Sequence, residues 1–151
     1  MLSYAHAVAV PASPEPIAGT LDWIGAIEDD DHVLVLGGYG PGVMCALLRA
    51  GATRVTHLRA HERPEAGSAS LAIVPQLPST DWLATALPSI RRALTAGGRL
   101  VVRGGMRSIV RTEVLRVLNM NGFTAVRVSN TAGGDQVFNA GIRAPLVRQA
   151  A

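Results

Sequence analysis

A cluster of four glycines and one proline directly follows the apolar run V-L-V-L in the stretch 33–42. The glycines are Gly37, Gly38, Gly40 and Gly42. Because glycine has no β-carbon, backbone amides in such a stretch can come close to a phosphate, a sugar or a neighbouring backbone. The same residues also allow a tight turn from a strand into a helix. The stretch therefore predicts either a ligand-binding turn or a purely structural one.

Other side chains with metal-binding or nucleophilic chemistry are isolated in the sequence. His57 and His61 flank the end of a predicted strand, but no third ligand has a suitable spacing, which favours surface histidines over a metal site. Cys45 lies one turn into a predicted helix, where a thiolate is favoured, but we interpret it as a small buried residue. The acidic run Glu28–Asp31 is interpreted as a solvated turn, because adjacent carboxylates point in several directions. We predict no metal.

The composition is that of a globular chain with an apolar core. The 151 residues are 48% hydrophobic and 17% charged. The net charge is +3, and the 14 basic residues, all arginines, are scattered, which disfavours nucleic-acid binding. No apolar run reaches the roughly 18 residues that a membrane span needs, and the start M-L-S-Y-A-H lacks the basic segment of a secretory signal. We predict a cytoplasmic protein with no membrane contact.

Strand and helix patterns alternate along the chain until a final pair of strands. Predicted strands occupy 32–36, 54–59, 71–74 and 99–103, and predicted helices occupy 21–28, 43–51, 89–98 and 112–120. The last two strands, 123–129 and 136–144, form an antiparallel pair. This order predicts the α/β class, with a mostly parallel sheet and an antiparallel edge. We expect a single domain over 1–151, in which the proline-containing residues 1–19 form a loose or docking arm.

The order of these elements and three of their stretches resemble class I S-adenosylmethionine-dependent methyltransferases over residues 21–144. The stretches are L-D-W-I-G with H-V-L-V-L-G-G-Y-G-P-G, then A-L-T-A-G-G-R-L-V-V, and finally N-G-F-T-A-V-R-V-S with Q-V-F-N-A-G-I-R-A. The resemblance implies a Rossmann-like sheet with S-adenosylmethionine at the ends of its strands, the methionine part against the glycine stretch. The residues implied in binding are Gly37, Gly38, Tyr39, Gly40, Gly42, Arg59, Pro75 and Gln76.

Two acidic positions of the family pattern are replaced. The acid that usually precedes the glycine motif is Leu36 here, or Val35 if the motif starts one residue earlier. The acid that binds the ribose hydroxyls at the end of the second strand is replaced by Leu58 and Arg59, and a guanidinium only donates hydrogen bonds. Glu62 is a substitute for that acid if the following loop curls back.

The connection between the second and third predicted strands is short. The family has a helix, a strand and another helix there, whereas one βα crossover alone already needs about 10 to 12 residues. Only the segment between Leu58 and Leu71 is available. We therefore predict that the family's third strand is missing. The sheet edge exposed in this way favours an oligomer or a folded-over N-terminal arm.

The stretch P-Q-L-P-S-T-D-W follows the third predicted strand, where amino-methylating relatives present an acidic or amide side chain, proline and an aromatic residue. Pro75, Gln76, Asp81 and Trp82 are candidates for a reduced version of that motif. We favour a structural interpretation, in which Ser79 or Thr80 caps the next helix and the indole makes a hydrophobic contact.

Two other nucleotide-binding classes fit less well. The third glycine of the dehydrogenase motif G-x-G-x-x-G falls on Val43, and a P-loop needs a lysine, which the chain lacks. The sequence therefore predicts a methyltransferase-like protein that binds S-adenosylmethionine, with no catalytic residue assigned. The alternative is a non-catalytic interaction or regulatory module on the same scaffold, acting as a homo-oligomer, with a protein partner or with a small ligand. Tyr39 either stacks on a ligand or fills its place.

Overall fold

The computed structural model describes residues 22–38, 40–59, 62–104 and 109–142. These residues form a six-stranded sheet flanked by helices. The strands are β1 (His32–Leu36), β2 (Arg54–Leu58), β3 (Ala69–Leu77), β4 (Leu94–Gly104), β5 (Phe123–Asn130) and β6 (Gln136–Ile142). The helices are α1 (Gly40–Arg49), α2 (Thr80–Ala93) and α3 (Arg111–Met120). The predicted arm over 1–19 lies outside the described residues. None of the described helices has the length and apolar character that a membrane crossing needs.

The strand order across the sheet is β2-β1-β3-β4-β6-β5. β1 pairs in parallel with β2 and β3, and β3 pairs in parallel with β4. β6 pairs antiparallel with both β4 and β5. The predicted mostly parallel sheet with an antiparallel C-terminal hairpin is therefore confirmed. Among the described strands β2 is outermost, in agreement with the strand that the short connection after β2 predicts to be missing.

The chain crosses from β2 to β3 on the α2 side of the sheet. In this connection the backbone N–H of Gly67 donates a hydrogen bond to the carbonyl of Arg92 at 2.9 Å, and Pro64 is buried. The described part of the connection contains no helix. Arg54 and Thr56 on β2 have exposed side chains, and no helix from the described part of this connection lies over them.

Two apolar layers hold the sheet between its helices. Successive residues of a strand point to opposite faces, and the continuous apolar runs of β1, β3 and β4 supply both layers. The layer on the α2 side includes Leu34, Ala72, Leu100, Leu87 and Phe138. The layer on the α1 side includes Ile24, Val33, Leu47, Ile73 and Val101.

The ends of two helices agree with the sequence prediction. Gly51 follows α1 with a φ of +106°, and the backbone N–H of Ala52 donates to the carbonyl of Leu47 at 3.0 Å. Gly122 follows α3 with a φ of +83°. Left-handed backbone of this kind is cheapest at glycine, which is why glycine commonly follows a helix.

The predicted end of the helix before β4 is wrong. α2 ends at Ala93, and the stretch L-T-A-G-G belongs to β4. The β3–β4 register runs from Ala69↔Leu94 to Leu71↔Arg99, so β4 carries extra residues that bulge out. Gly97, with a φ of +80°, therefore lies in a β-bulge and does not end a helix.

Two further predictions are wrong. The predicted helix over 21–28 is absent from its described part, residues 22–28, where a turn ends at Ile24 and Gly25 has a φ of +83°. The carbonyls of Ile24 and Ala26 accept hydrogen bonds from the Arg99 guanidinium instead of from helical amides.

Cys45 is exposed and not buried, because the buried face of α1 is formed by Val43, Ala46 and Leu47.

Candidate functional site

The carboxyl ends of the parallel strands bring the glycine turn next to the end of β3. A β-carbon placed on Gly37 would lie 3.6 Å from the carbonyl oxygen of Gln76. A β-carbon placed on Gly38 would lie 3.9 Å from the side-chain oxygen of the same glutamine. The structure thus brings Gly37, Gly38 and Gln76 together, in the crevice where open α/β sheets bind ligands. Pro75 is buried within β3.

The described part of the glycine stretch is a short strand-to-helix turn. Gly37 has a φ of +84°, a conformation that other residues adopt only with strain. α1 begins at Gly40, so Gly40 and Gly42 belong to its first turn and not to a loop. Nothing lies within 4 Å of a β-carbon placed on Gly42. Tyr39 lies outside the described residues.

Trp82 lies against this turn. Ser79 is the N-cap of α2, and its hydroxyl accepts a hydrogen bond from the Trp82 backbone N–H at 3.0 Å. The predicted capping by Ser79 or Thr80 is therefore confirmed, with Ser79 as the cap. The indole is half-buried, packs on the apolar core and comes within 3.7 Å of the β-carbon position of Gly37. Asp81 is exposed in the first turn of α2.

The loop after β2 curls back on itself. The backbone N–H of Arg59 donates to Oε1 of Glu62 at 2.9 Å, and the backbone N–H of Glu62 donates to the carbonyl of Arg59 at 3.0 Å. This turn holds the Glu62 carboxylate at the end of β2, beside Leu58. The condition under which Glu62 is a substitute for the missing acid is therefore met.

A small cavity of about 90 Å³ joins these elements. Its lining residues are Leu36, Leu58, Arg59, Glu62, Trp82, Thr85, Ala86 and Ser89. The four α2 residues of this set are spaced three, four and seven positions apart, counted from Trp82, which is one face of a helix. The sequence reasoning missed Thr85, Ala86 and Ser89, although this spacing was the signal that could have found them.

The remaining candidates do not join the crevice. His57 is half-buried on β2, and His61 lies outside the described residues. Asp31 uses both carboxylate oxygens locally, because Oδ2 accepts from the Glu28 backbone N–H and Oδ1 accepts from the Ser70 hydroxyl, both at 2.7 Å. Among the residues that the structure describes, no group of three or more histidine, cysteine or acidic side chains converges on one point.

The strand order and the crevice define an α/β protein with the methyltransferase-type Rossmann-like fold. No protein-family model matches the sequence, and the search of curated proteins found no match. Many similar solved structures are S-adenosylmethionine-dependent methyltransferases.

Geranyl diphosphate C-methyltransferase from Streptomyces coelicolor A3(2), solved with Mg²⁺, geranyl-S-thiolodiphosphate and S-adenosyl-L-homocysteine, has a TM-score of 0.66 at 14% identity; the alignment covers 83% of this chain and 74% of that one. A possible histamine N-methyltransferase from Thermotoga maritima has a TM-score of 0.59 at 13% identity, covering 90% and 96%. A methyltransferase from Aquifex aeolicus has a TM-score of 0.56 at 13% identity, covering 85% and 89%. At these identities the likeness concerns the fold.

At the two positions where the family places acids, the described residues do not fit the cofactor that this fold implies, S-adenosylmethionine; Glu62 is the acid that lies nearby. The cavity between Leu36, Leu58 and Trp82 has about 90 Å³ and is not lined by the glycine turn, whereas binding sites for small molecules typically enclose roughly 300–1,000 Å³. Leu36 and Leu58 also stand at the two positions where the family places acids, and both are buried, at 3% and 7% exposure. An apolar side chain accepts no hydrogen bond from a ribose hydroxyl.

Proposed function

We propose that this chain is a non-catalytic methyltransferase-fold protein that acts by binding and not by methyl transfer. The observation that carries the proposal is the position of the Trp82 indole, which lies 3.7 Å from the point that a β-carbon on Gly37 would occupy. The resemblance places the methionine part of the cofactor against this turn, and the half-buried indole of Trp82 lies beside the same turn. The crevice is thereby part of the apolar packing that holds α2 on the sheet.

The polarity of the crevice supports the same proposal. Leu36 and Leu58 pack where an enzyme of this fold needs hydrogen-bond acceptors. A ligand hydroxyl brought to these side chains would lose its bonds to water without replacement, which costs about 1–3 kcal/mol for each unpaired group. The guanidinium of Arg59 adds donors only.

Calorimetric titration with S-adenosylmethionine and S-adenosylhomocysteine tests the proposal. We expect no saturable heat with the natural protein. Thermal unfolding is the second readout, since a ligand at 100 times its dissociation constant stabilises a native protein by about 2.7 kcal/mol. Saturable binding of either compound in the micromolar range would overturn the proposal.

A second candidate function, retained binding of the cofactor's adenosine part, is favoured by the position of Glu62. Its carboxylate lies at the end of β2 and lines the small cavity. If the natural protein binds S-adenosylhomocysteine, the variant Glu62→Gln shows whether the Glu62 carboxylate takes part in that binding. A loss of about tenfold in affinity would support ribose binding by the carboxylate, and an unchanged affinity would reject this candidate.

We further propose that a second copy of the chain covers the exposed edge of β2. Unpaired backbone groups of an edge strand are a template for another strand, and two identical edges pair naturally across a two-fold axis. An antiparallel β2–β2 pair centred on Thr56 places the two Thr56 side chains opposite each other. β2 is outermost among the described strands, and Thr56 is exposed.

Light scattering after size exclusion tests this pairing. We expect a dimer for the natural protein and a monomer for Thr56→Lys, because two like charges face each other across the pair. Thr85→Lys is the matched control, because Thr85 lies on α2 but is otherwise similar to Thr56. Both threonines are exposed and make one side-chain hydrogen bond, Thr56 with His32 and Thr85 with the carbonyl of Asp81. A monomeric natural protein, or a Thr56→Lys dimer as stable as the control, would contradict pairing through β2.

A further inference from the structure

The described residues cover the sheet face on the α1 side only in part over its antiparallel half. Here β4, β6 and β5 lie side by side, and the register places Arg99 beside Gly141, and Asn139 beside Arg127. A recess of about 430 Å³ lies on this face. Its lining residues are Arg99, Ala125, Arg127, Ser129, Asn139, Ala140 and Gly141. The volume falls within the range of roughly 300–1,000 Å³ that small-molecule sites occupy.

The recess exists because its floor carries almost no side chains. Gly141 faces the recess between β4 and β5, and the nearest atom to a β-carbon placed on it is the Thr124 carbonyl oxygen at 3.9 Å. On β5 the neighbouring floor residue is Ala125, at an irregularity of the β5–β6 register between Thr124 and Arg127. A β-carbon at Gly141 would therefore fit without a clash.

Three polar side chains face the recess without hydrogen-bond partners among the described residues. Arg127 is exposed, Ser129 is exposed and Asn139 is half-buried. The fourth polar side chain, Arg99, already makes hydrogen bonds within the protein. Its guanidinium donates to the carbonyl of Ile24 at 2.7 Å and to that of Ala26 at 2.5 Å. No carboxylate lines the recess. The available groups are therefore a guanidinium, an amide and a hydroxyl.

The backbone at the floor is strained. Ala125 has a φ of +53°, and it is the one non-glycine residue in the described part of the chain with a positive φ. Such a conformation persists where surrounding structure enforces it, and it clusters at binding sites. The register of β5 with β6 resumes at Arg127↔Asn139 after the irregularity, so the strained residue lies two positions before Arg127.

We propose that this recess binds a small organic oxyanion, a carboxylate or a phosphate ester, through the Arg127 guanidinium and the Asn139 amide. The planar guanidinium matches both kinds of oxyanion with two parallel hydrogen bonds. Ser129 supplies a further donor. The site does not depend on the proposed function, because it lies on the face of the antiparallel strands and shares no residue with the crevice.

Titration with citrate and, separately, with inorganic phosphate tests the site at constant ionic strength. The readout is the nuclear magnetic resonance shift of the Asn139 side-chain amide and of the Arg127 Nε–H. We expect saturable shifts at these two groups, and the tighter probe identifies the ligand as a carboxylate or a phosphate. Shifts that do not saturate, or that appear equally at all arginines, would overturn the proposal.

Two variants and one control sharpen the test. Arg127→Gln is expected to weaken binding of the preferred probe about tenfold, because one charge-assisted pair is lost. Gly141→Val fills the floor and is expected to abolish binding; it leaves Arg127 in place, so a charge effect alone does not explain its result. Arg116→Gln on α3 removes an exposed arginine elsewhere and should change nothing. Equal weakening by Arg127→Gln and Arg116→Gln would show general screening and contradict the site.

Discussion

The indole of Trp82 lies 3.7 Å from the point that a β-carbon on Gly37 would occupy, so the first turn of α2 closes over the turn that follows β1. The contact depends on two local features, the left-handed backbone of Gly37 and the Ser79 cap that starts α2. The backbone of Gly37 gives a prediction about strain, and the Ser79 cap gives a prediction about the start of α2.

Gly37→Ala is expected to lower the free energy of unfolding by about 1–2 kcal/mol. The cause is the φ of +84°, since left-handed backbone costs a residue with a β-carbon roughly that much. Crowding adds little, because the nearest atom to the new β-carbon, the Gln76 carbonyl oxygen at 3.6 Å, is at ordinary van der Waals distance. Gly38→Ala is the control, with no left-handed φ and its nearest atom at 3.9 Å. Urea unfolding of both variants checks this; equal losses would show that the φ of Gly37 is not the cause.

Much of the fold follows from the sequence, for reasons that can be named. The apolar runs of β1 and β3 are buried on both faces, which only a central parallel strand requires. Helix ends marked by a single glycine, such as Gly51, were predicted because a left-handed residue is needed there. The absence of the family's third strand was predicted from the shortness of the segment between Leu58 and Leu71 alone.

The failures have a common physical cause, which is that tertiary contacts decide between local alternatives. The double glycine 97–98 suits a helix end as well as a bulge, and pairing of β4 with β3 selects the bulge. The residues around Ile24 have a helical pattern, but the Arg99 guanidinium binds their carbonyls. The contact between Trp82 and Gly37 joins segments far apart in sequence, so no local pattern contains it.

Ser79→Ala is expected to lower the free energy of unfolding by about 1 kcal/mol, the usual cost of losing an N-cap. The lost interaction is the bond from the Trp82 backbone N–H to the Ser79 hydroxyl at 3.0 Å. Ser79→Asp is the matched control, because aspartate caps as well as serine and adds a charge that the helix dipole favours. Chemical denaturation measures both variants. A loss in Ser79→Asp equal to that in Ser79→Ala would mean that the cap is not what stabilises α2.

The ion pair of Arg103 with Asp135 is expected to show a coupling free energy of about 1–2 kcal/mol in a double-mutant cycle to alanine. Both side chains are largely buried, at 13% and 15% exposure, and the guanidinium also lies 5.7 Å from the centre of the Trp23 ring. The pair of Glu113 with Arg116 is the control, because its side chains are 50% and 60% exposed. Exposed pairs contribute at most about 1 kcal/mol and often nothing measurable. Equal coupling in the two cycles would show that burial does not strengthen the inner pair.

Ala125→Gly is expected to raise the free energy of unfolding by up to about 1 kcal/mol. Glycine adopts the φ of +53° without strain, and this gain exceeds the backbone entropy that glycine loses on folding. Ala86→Gly on α2 is the control, and there glycine is expected to cost about 1 kcal/mol, as in any helix interior. Thermal and urea unfolding give both values. A destabilised Ala125→Gly would mean that Ala125 is unstrained, and it would remove backbone strain from the argument for an oxyanion site beside Arg127.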